Sequence, residues 1–174
     1  MGRGAVPTTH PLYIGNLGMH GAYACNMAVN ECDLLFSIGT RFNDRITGKL
    51  HSFAPNAQIV HIDIDTAAIS KNVQVDVPIV ADAKEAVTKM LEYVTPFETG
   101  KWMDTIEDWK AEHPLKMKKK PIMTPQDVIE AINRIFDEAI IVTDVGQHQM
   151  FTAQFIEITE KKKLLMSGGL GTMG

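Results

Sequence analysis

The chain has 174 residues, of which 45% are hydrophobic and 22% charged, and its formal net charge is −4. This composition is typical of a globular protein with a buried core. Apolar runs stay below the roughly 18–20 residues of a membrane-spanning helix, and the first residues lack the apolar segment of a signal peptide, so we expect no membrane partner. The lysine runs Lys116–Lys120 and Lys161–Lys163 contain no aromatic residues, so we expect no nucleic-acid partner. Cys25 and Cys32 are too few for a disulfide framework and are interpreted as thiols of a reducing compartment.

Short β-branched runs alternate with helical patterns along the chain, which predicts an α/β fold with a parallel sheet. Because these runs are almost continuously apolar, we expect helices on both faces of the strands. Predicted strands cover residues 33–38, 58–63, 78–81, 139–143 and 163–167. Helical patterns cover residues 21–32 and 83–94, and Thr124-Pro125-Gln126-Asp127 predicts the start of another helix. The last helical segment follows Gly146 and ends at Phe155.

The character of the sequence changes between residues 96 and 121, where four helix-breaking residues, both tryptophans and a lysine cluster occur. Trp102, Ile106 and Trp109 have helical spacing, which predicts a short amphipathic helix inside a linker. We therefore divide the chain into a first unit of residues 1–95, a linker of residues 96–121 and a second unit of residues 122–174.

Polar residues follow three of the predicted strands in the first unit, and ligands of parallel α/β sheets bind beyond the carboxyl ends of strands. Gly39–Arg45 offers a glycine and two arginines, which suit either phosphate binding or surface Arg–Asp pairing. His61, Asp63 and Asp65 share one strand face, which is compatible with a metal site, with an acid that accepts ribose hydroxyls, or with simple strand termination. Asp82 is a further acid at a strand end.

The second unit has two similar loops. Gln147 and His148 follow Gly146 at a helix start, where backbone N–H groups attract anions, although a histidine there is more often structural. The segment Gly169–Gly174 matches GxGxxG after a strand, a weak dinucleotide signal without a following helix. Met19 and Met173 lie in glycine loops, where they fill a core or contact a cofactor ring.

Together these motifs resemble a known family. The chain contains, in this order, Leu17-Gly18-Met19-His20-Gly21, Gly39-Thr40-Arg41-Phe42-Asn43-Asp44-Arg45, His61-Ile62-Asp63-Ile64-Asp65, Asp144-Val145-Gly146-Gln147-His148-Gln149-Met150 and Ser167-Gly168-Gly169-Leu170-Gly171-Thr172-Met173-Gly174. Over essentially its whole length it resembles the catalytic subunits of the acetohydroxyacid synthases (acetolactate synthases), which are thiamine diphosphate-dependent enzymes. The resemblance implies the C-terminal part of a three-layer, Rossmann-like, FAD-binding middle domain, followed by the start of a thiamine diphosphate-binding α/β domain.

The resemblance also implies site residues. The FAD set is Leu17, Gly18, Met19, His20, Gly39, Thr40, Arg41, Phe42, Asn43, Asp63, Ile64, Asp82 and Ala83. The thiamine diphosphate set is Gln147, His148, Gly171, Thr172 and Met173, with Met173 as the apolar residue that keeps the cofactor bent. The chain departs from the family at Asn43, where the family carries an aspartate, so one negative charge is lost beside the FAD set.

The implied reaction joins pyruvate to a second 2-oxo acid, pyruvate or 2-oxobutyrate, with loss of CO2, and belongs to branched-chain amino-acid biosynthesis. The activating glutamate and the Mg²⁺ ligands of the family lie outside this sequence, so we expect the 174 residues alone to be inactive. The resemblance further implies a homo-oligomer, dimer or tetramer, with a possible regulatory small subunit. It implies a cytoplasmic location in a bacterium or an organellar one in a plant or fungus. Alternative interpretations are another thiamine diphosphate-dependent carboligase or oxidase, and a non-catalytic nucleotide-binding module.

Overall fold

Two small parallel sheets, each with its own helices, organise the chain. The computed structural model describes residues 2–119 and 121–174, so Met1 and Lys120 lie outside the described residues. The predicted α/β class with parallel strands is confirmed. The elements in chain order are α1 (Tyr23–Glu31), β1 (Leu34–Ile38), α2 (Asp44–Thr47), a 3₁₀ turn (Leu50–Ser52), β2 (Gln58–Asp63), β3 (Val77–Val80), α3 (Ala83–Met90), α4 (Gly100–Glu112), α5 (Pro125–Ile135), β4 (Ala139–Thr143), α6 (Gln147–Phe155) and β5 (Lys162–Met166).

The first sheet has the strand order β1-β2-β3, with β2 in the centre. Its register pairs Ile38 with Ile62 and Asp63 with Val80, so all three strands end at the same edge. One face of the sheet carries a cluster of buried apolar side chains from β2 and from the segments after β1 and β2, namely Phe42, Ile59, Val73 and Val75. Helix α3 packs against β2. This arrangement brings the segments after the strands into one row.

The second sheet consists of β4 and β5, paired from Ala139–Lys162 to Thr143–Met166. Helix α6 packs on β4 and on α5. The core of this unit is formed by Ile129, Ile156, Ile158 and Leu164, which come from α5, the loop after α6, and β5. The period-2 alternation along both strands therefore directs one set of side chains into this core.

Helix α4 of the predicted linker packs on α1 of the first unit. Its Ile106 is 0% exposed and contacts Ala24 and Ala28, so the two helices approach closely through small side chains. Trp102 and Trp109 lie edge to face, with ring centroids 5.8 Å apart. The linker helix thus packs on the first unit. The division of the chain at residues 95 and 121 stays a prediction.

Helix α5 begins as the sequence predicts. Thr124 is the N-cap and Pro125 the first helical residue. The Asp127 backbone N–H donates to the Thr124 hydroxyl at 3.3 Å, and the Thr124 backbone N–H donates to the Asp127 carboxylate at 2.7 Å, which completes a capping box. The Thr124 hydroxyl also donates to Asp127 Oδ2 at 2.6 Å. This bond, and after it the one from the Thr124 backbone N–H, lowers the pKa of Asp127 from its ordinary value.

Both sheets also present apolar side chains to solvent, whereas the sequence predicts cover on both faces. On β1 the exposed row is Leu34, Phe36 and Ile38. On the second sheet, Ile140 is 69%, Val142 71% and Leu165 55% exposed. These side chains alternate with the core-facing ones, so each exposed row is a strand face that the described chain leaves uncovered. Within the described residues, no helix is both long and apolar enough to cross a lipid bilayer.

Candidate functional site

The row at the edge of the first sheet brings together three of the segments predicted to bind FAD. The Gly39 backbone N–H donates to the Ile62 carbonyl at 2.8 Å, and the Ala81 N–H donates to the Asp63 carbonyl at 3.2 Å. Gly39 directly follows β1, Asp63 is the last residue of β2, and Asp82 comes just after β3, so the three residues lie at the carboxyl edge of one parallel sheet. This is the position at which open α/β sheets bind nucleotides.

The loop after β1 exposes its polar residues and buries one aromatic ring. Gly39 has a φ of +62° and open space where a Cβ would point, so ligand atoms can approach its backbone closely. Arg41 is exposed, and its carbonyl accepts from the Asn72 amide at 3.0 Å. Phe42 is only 4% exposed and has a φ of +46°, so its ring belongs to the core and only its backbone faces the edge. Thr40 is partly exposed and Asn43 is exposed between these anchors.

The acids at the ends of β2 and β3, Asp63 and Asp82, each have one carboxylate oxygen that accepts no local hydrogen bond. Asp63 Oδ1 accepts from the Asp65 backbone N–H at 2.9 Å, which leaves Oδ2 without a backbone donor. Asp82 Oδ1 accepts from the N–H groups of Lys84 and Glu85, at 2.8 and 3.2 Å, and so caps α3. Ile64 and Ala83 follow these acids and are both exposed. The remaining carboxylate oxygens have the chemistry to accept hydroxyl groups.

The loop Leu17–His20 lies on α2 through an unusually close backbone contact. The Met19 N–H donates to the Arg45 carbonyl at 2.8 Å. A Cβ on Gly18 would lie 2.5 Å from the same carbonyl oxygen, and Gly18 has a φ of +100°. Asn26 of α1 holds this glycine from the other side, because its side chain accepts from the Gly18 N–H at 2.9 Å and donates to the Gly18 carbonyl at 3.1 Å. Only glycine fits this position.

A cavity of about 420 Å³ opens beside this loop. Leu17, Gly18 and Met19 line it together with Asp44 and Arg45 of α2. Met19 is 64% exposed, and its sulfur lies 3.9 Å from an Arg45 guanidinium nitrogen. The predicted FAD residues thus fall into two groups in space: the strand-edge row, and the loop that borders this cavity.

The same loop is tied to the second unit. The Gln154 amide of α6 donates to the His20 carbonyl at 3.0 Å, and the Asn16 amide donates to the Ala153 carbonyl at 2.7 Å. Arg3 adds a hydrogen bond to the Ile156 carbonyl at 3.2 Å. These contacts hold the loop Leu17–His20 and its neighbours against the helix that begins with Gln147 and His148.

The predicted thiamine diphosphate residues lie on two loops that Asp144 joins. Asp144 Oδ1 accepts from the Thr172 hydroxyl at 3.0 Å, and Oδ2 accepts from the Gly174 N–H at 2.9 Å. The Val145 N–H donates to the Thr172 carbonyl at 2.8 Å, and Ser167 contacts the Thr172 hydroxyl. The segment after β5 is therefore bound to the segment after β4, at the carboxyl edge of the second sheet.

The remaining groups of this second site are presented to solvent. Gln147 and His148 are exposed in the first turn of α6, after Gly146 with a φ of +155°. Gly171 has a φ of +67° and open space at its Cβ position, and Met173 is 81% exposed. The edge thus offers an amide, an imidazole, free backbone and an apolar side chain to a ligand.

Comparison with known proteins decides the family. The family model described as "Thiamine pyrophosphate enzyme, central domain" matches residues 1–90, the part of the chain that contains the first sheet. The chain belongs to the thiamine pyrophosphate enzyme family.

Relatives within this family match the whole chain. It is 46% identical over 182 residues to the acetolactate synthase large subunit of Cyanidium caldarium, 43% over 183 residues to the acetolactate synthase isozyme 3 large subunit of Escherichia coli K12, and 44% over 185 residues to a probable acetolactate synthase large subunit of Methanocaldococcus jannaschii. Each alignment covers 100% of this chain and 31–32% of the relative. The chain thus spans about a third of the length of these thiamine pyrophosphate enzymes.

The second edge fits the family's cofactor by its donor set. A helix start with free N–H groups, Gln147 and His148 suits an anionic diphosphate. The exposed Met173 and the backbone of Gly171 suit the apolar rings of such a cofactor. Across residues 2–119 and 121–174, the structure contains no group of three or more His, Cys, Asp or Glu side chains that could hold a metal ion.

Three residues contribute to these edges although the sequence did not single them out as site residues. Asn26 holds Gly18, Asp144 joins the two loops of the second edge, and Ser167 contacts Thr172. Asp144 has a detectable signal, since it is an acid directly after a strand. Asn26 has none, because its role depends on which loop packs against α1.

Proposed function

We propose that the protein carrying this chain is an acetolactate synthase catalytic subunit, which joins pyruvate to a second 2-oxo acid, pyruvate or 2-oxobutyrate, with loss of CO2. The observation that carries the proposal is the identity to acetolactate synthase large subunits over the entire chain. That identity spans both strand edges and the α4 connection between them, so it is not confined to one nucleotide-binding motif.

FAD is the proposed ligand of the first edge. Asp63 and Asp82 accept its ribose hydroxyls, the backbone of Gly39 approaches its diphosphate, and the loop Leu17–His20 borders its ring system. Asn43 stands where the family carries an acid and keeps a hydrogen-bond acceptor without the charge. The proposal draws support from the free carboxylate oxygens at the edge and from the open space at Gly39.

Thiamine diphosphate is the proposed ligand of the second edge, together with Mg²⁺ held by residues outside this sequence. When bound, this cofactor supplies the nucleophilic carbon and the electron sink for decarboxylating a 2-oxo acid and for passing the acyl group on. Gln147 and His148 donate to its polar groups, and Met173 keeps its rings in the reactive geometry. Asp144 fixes the loop that carries Thr172 and Met173, so it orients the cofactor indirectly.

The assembly and location are part of the same proposal. The full protein forms a homo-oligomer, binds a regulatory small subunit where its organism has one, and works in the cytoplasm of a bacterium or in an organelle of a plant or fungus. The exposed strand faces described above supply apolar surface for such packing.

A chimera tests the function. Residues 1–174 replace the matching segment of the Escherichia coli isozyme 3 large subunit, and acetolactate formation from pyruvate is measured in the purified chimera. We expect activity, with FAD retained through gel filtration. As matched controls, Met173→Ala lowers the rate by roughly 100-fold because the reacting groups are misplaced, and Met173→Leu restores most of it.

Three outcomes would contradict the proposal. A folded chimera that retains both cofactors but forms no acetolactate would exclude this reaction. Release of CO2 from pyruvate without a coupled product, or with an oxidised one, would favour another carboligase or an oxidase of the same family. A folded chimera that binds a nucleotide but no thiamine diphosphate would favour a non-catalytic module.

A further inference from the structure

His61 is a buried imidazole at the centre of the first sheet with no hydrogen-bond partner. It lies on β2, between Ser37 of β1 and Pro78 of β3, and is 0% exposed. Neither ring nitrogen has a partner within hydrogen-bond distance among the described residues. Burying a polar group without a partner costs free energy, so an apolar residue would suit this position better if packing were its only role.

The ring touches two of the segments that form the strand-edge row. Its Nε2 lies 3.7 Å from Asp63 Oδ2, the oxygen that no backbone group contacts. The His61 and Phe42 rings pack edge to face, with centroids 5.1 Å apart and an interplanar angle of 76°. One buried side chain therefore contacts both the loop after β1 and the acid at the end of β2.

We propose that His61 is a positioning residue for the proposed FAD site: with its proton on Nε2, it donates to Asp63 Oδ2 and sets the carboxylate plane that receives the ribose hydroxyls. The distance of 3.7 Å is longer than a hydrogen bond, so the contact closes when a ligand draws the carboxylate into position. The Asp65 N–H already holds Oδ1, and the two donors together leave the carboxylate one orientation. This inference rests on the proposed FAD binding.

Two substitutions of His61 distinguish its role as a hydrogen-bond donor from its role in packing. His61→Phe keeps an aromatic ring against Phe42 and removes the donor, whereas His61→Gln removes the ring and keeps an N–H donor near the position of Nε2. Both variants are made in the chimera described above, which serves as the parent protein. FAD affinity is measured by quenching of flavin fluorescence, and thermal unfolding is recorded for each variant. We expect His61→Phe to weaken FAD binding about tenfold, which corresponds to about 1.4 kcal/mol, and His61→Gln to stay within about threefold of the parent.

A double-mutant cycle with Asp63→Asn tests whether His61 acts through Asp63. In the Asp63→Asn background, His61→Phe changes FAD affinity by less than about twofold, because the donor has lost the charged group that it orients. If His61→Phe does not fold, His61→Met takes its place as a variant of similar size without a donor.

Three results overturn the inference. His61→Phe with the parent's affinity shows that the donor does nothing for binding. Additive effects of the His61 and Asp63 substitutions show that the two residues act independently. A parent protein that folds and does not bind FAD refutes the proposed cofactor as well as the inference, whereas the first two results leave FAD binding intact.

Discussion

Replacing Gly18 by alanine tests how the loop Leu17–His20 is held. The added Cβ would lie 2.5 Å from the Arg45 carbonyl oxygen, roughly 1 Å inside the ordinary contact distance of about 3.5 Å. The loop cannot move away freely, because the Met19 N–H donates to this same carbonyl. Relief of the clash therefore breaks that hydrogen bond.

The free-energy cost of Gly18→Ala has two contributions. A residue other than glycine at a φ of +100° costs about 1–3 kcal/mol of backbone strain. The lost hydrogen bond adds about 0.5–1.5 kcal/mol. We expect Gly18→Ala to destabilise the loop by about 1.5–4.5 kcal/mol, which is enough to open it locally before the protein unfolds.

Hydrogen exchange at the Met19 amide is the most direct measurement. In Gly18→Ala this amide loses its protection, while the amides of β2 keep theirs. Gly48→Ala is the matched control, because Gly48 also has a positive φ, +57°, but has no atom within 4 Å of a Cβ position. Protection of Met19 in Gly18→Ala equal to that in Gly48→Ala would show that the close approach to Arg45 does not hold the loop.

Three further predictions concern the core, a helix start and a thiol. Ile106→Ala removes a fully buried side chain between α4 and α1 and lowers the free energy of unfolding by about 2–5 kcal/mol in urea titrations. The folded-state pKa of Asp127 lies below its unfolded value, so the stability that Asp127 contributes is complete above the unfolded pKa and is lost as the pH falls through the folded pKa. We therefore expect Asp127→Asn to reduce the loss of melting temperature at acid pH. Burial raises the pKa of the Cys25 thiol to about 11, so alkylation at pH 8 followed by mass spectrometry modifies Cys25 far more slowly in the native protein than in urea.

Each of these has a clear opposing result. A loss below about 1 kcal/mol in Ile106→Ala would mean that α4 is not anchored on α1. If the melting temperature of Asp127→Asn depends on acid pH as the parent's does, the capping box does not contribute measurably to the stability of α5. Equal alkylation rates of native and unfolded Cys25 would show that the thiol is accessible in the folded protein.

The regular elements follow from local sequence where a β-branched run has clear limits. The predicted strands 58–63 and 139–143 have the observed bounds, because each is a short apolar run followed by a polar residue or a turn. The other strands shift by about one residue. The predicted helix over 83–94 ends at Met90, where turns replace it. The short helix α2 was not predicted, since four residues carry no period.

The sequence predicts the candidate site only for residues whose location follows from their position at the end of a strand. Acids at the ends of parallel strands meet at one sheet edge whatever the details, and Asp63 and Asp82 lie at the same edge as Gly39. Their role in binding stays a prediction. The partners of Asn26 and His61 depend instead on which loops pack above α1 and β2. No periodicity or motif reports such tertiary contacts. The burial of Phe42 was missed for the same reason, because a loop position between arginine and asparagine resembles an exposed one.

The exposed row on the second sheet has a consequence for handling this chain. Ile140, Val142 and Leu165 form a continuous apolar strip on a two-stranded sheet whose outer edges are both unpaired among the described residues. Such a strip is a template for self-association, which grows with concentration. Sulfate and phosphate strengthen the burial of apolar surface and shift this balance toward aggregates. We therefore expect the chain to stay in solution best in dilute samples and in buffers low in sulfate and phosphate.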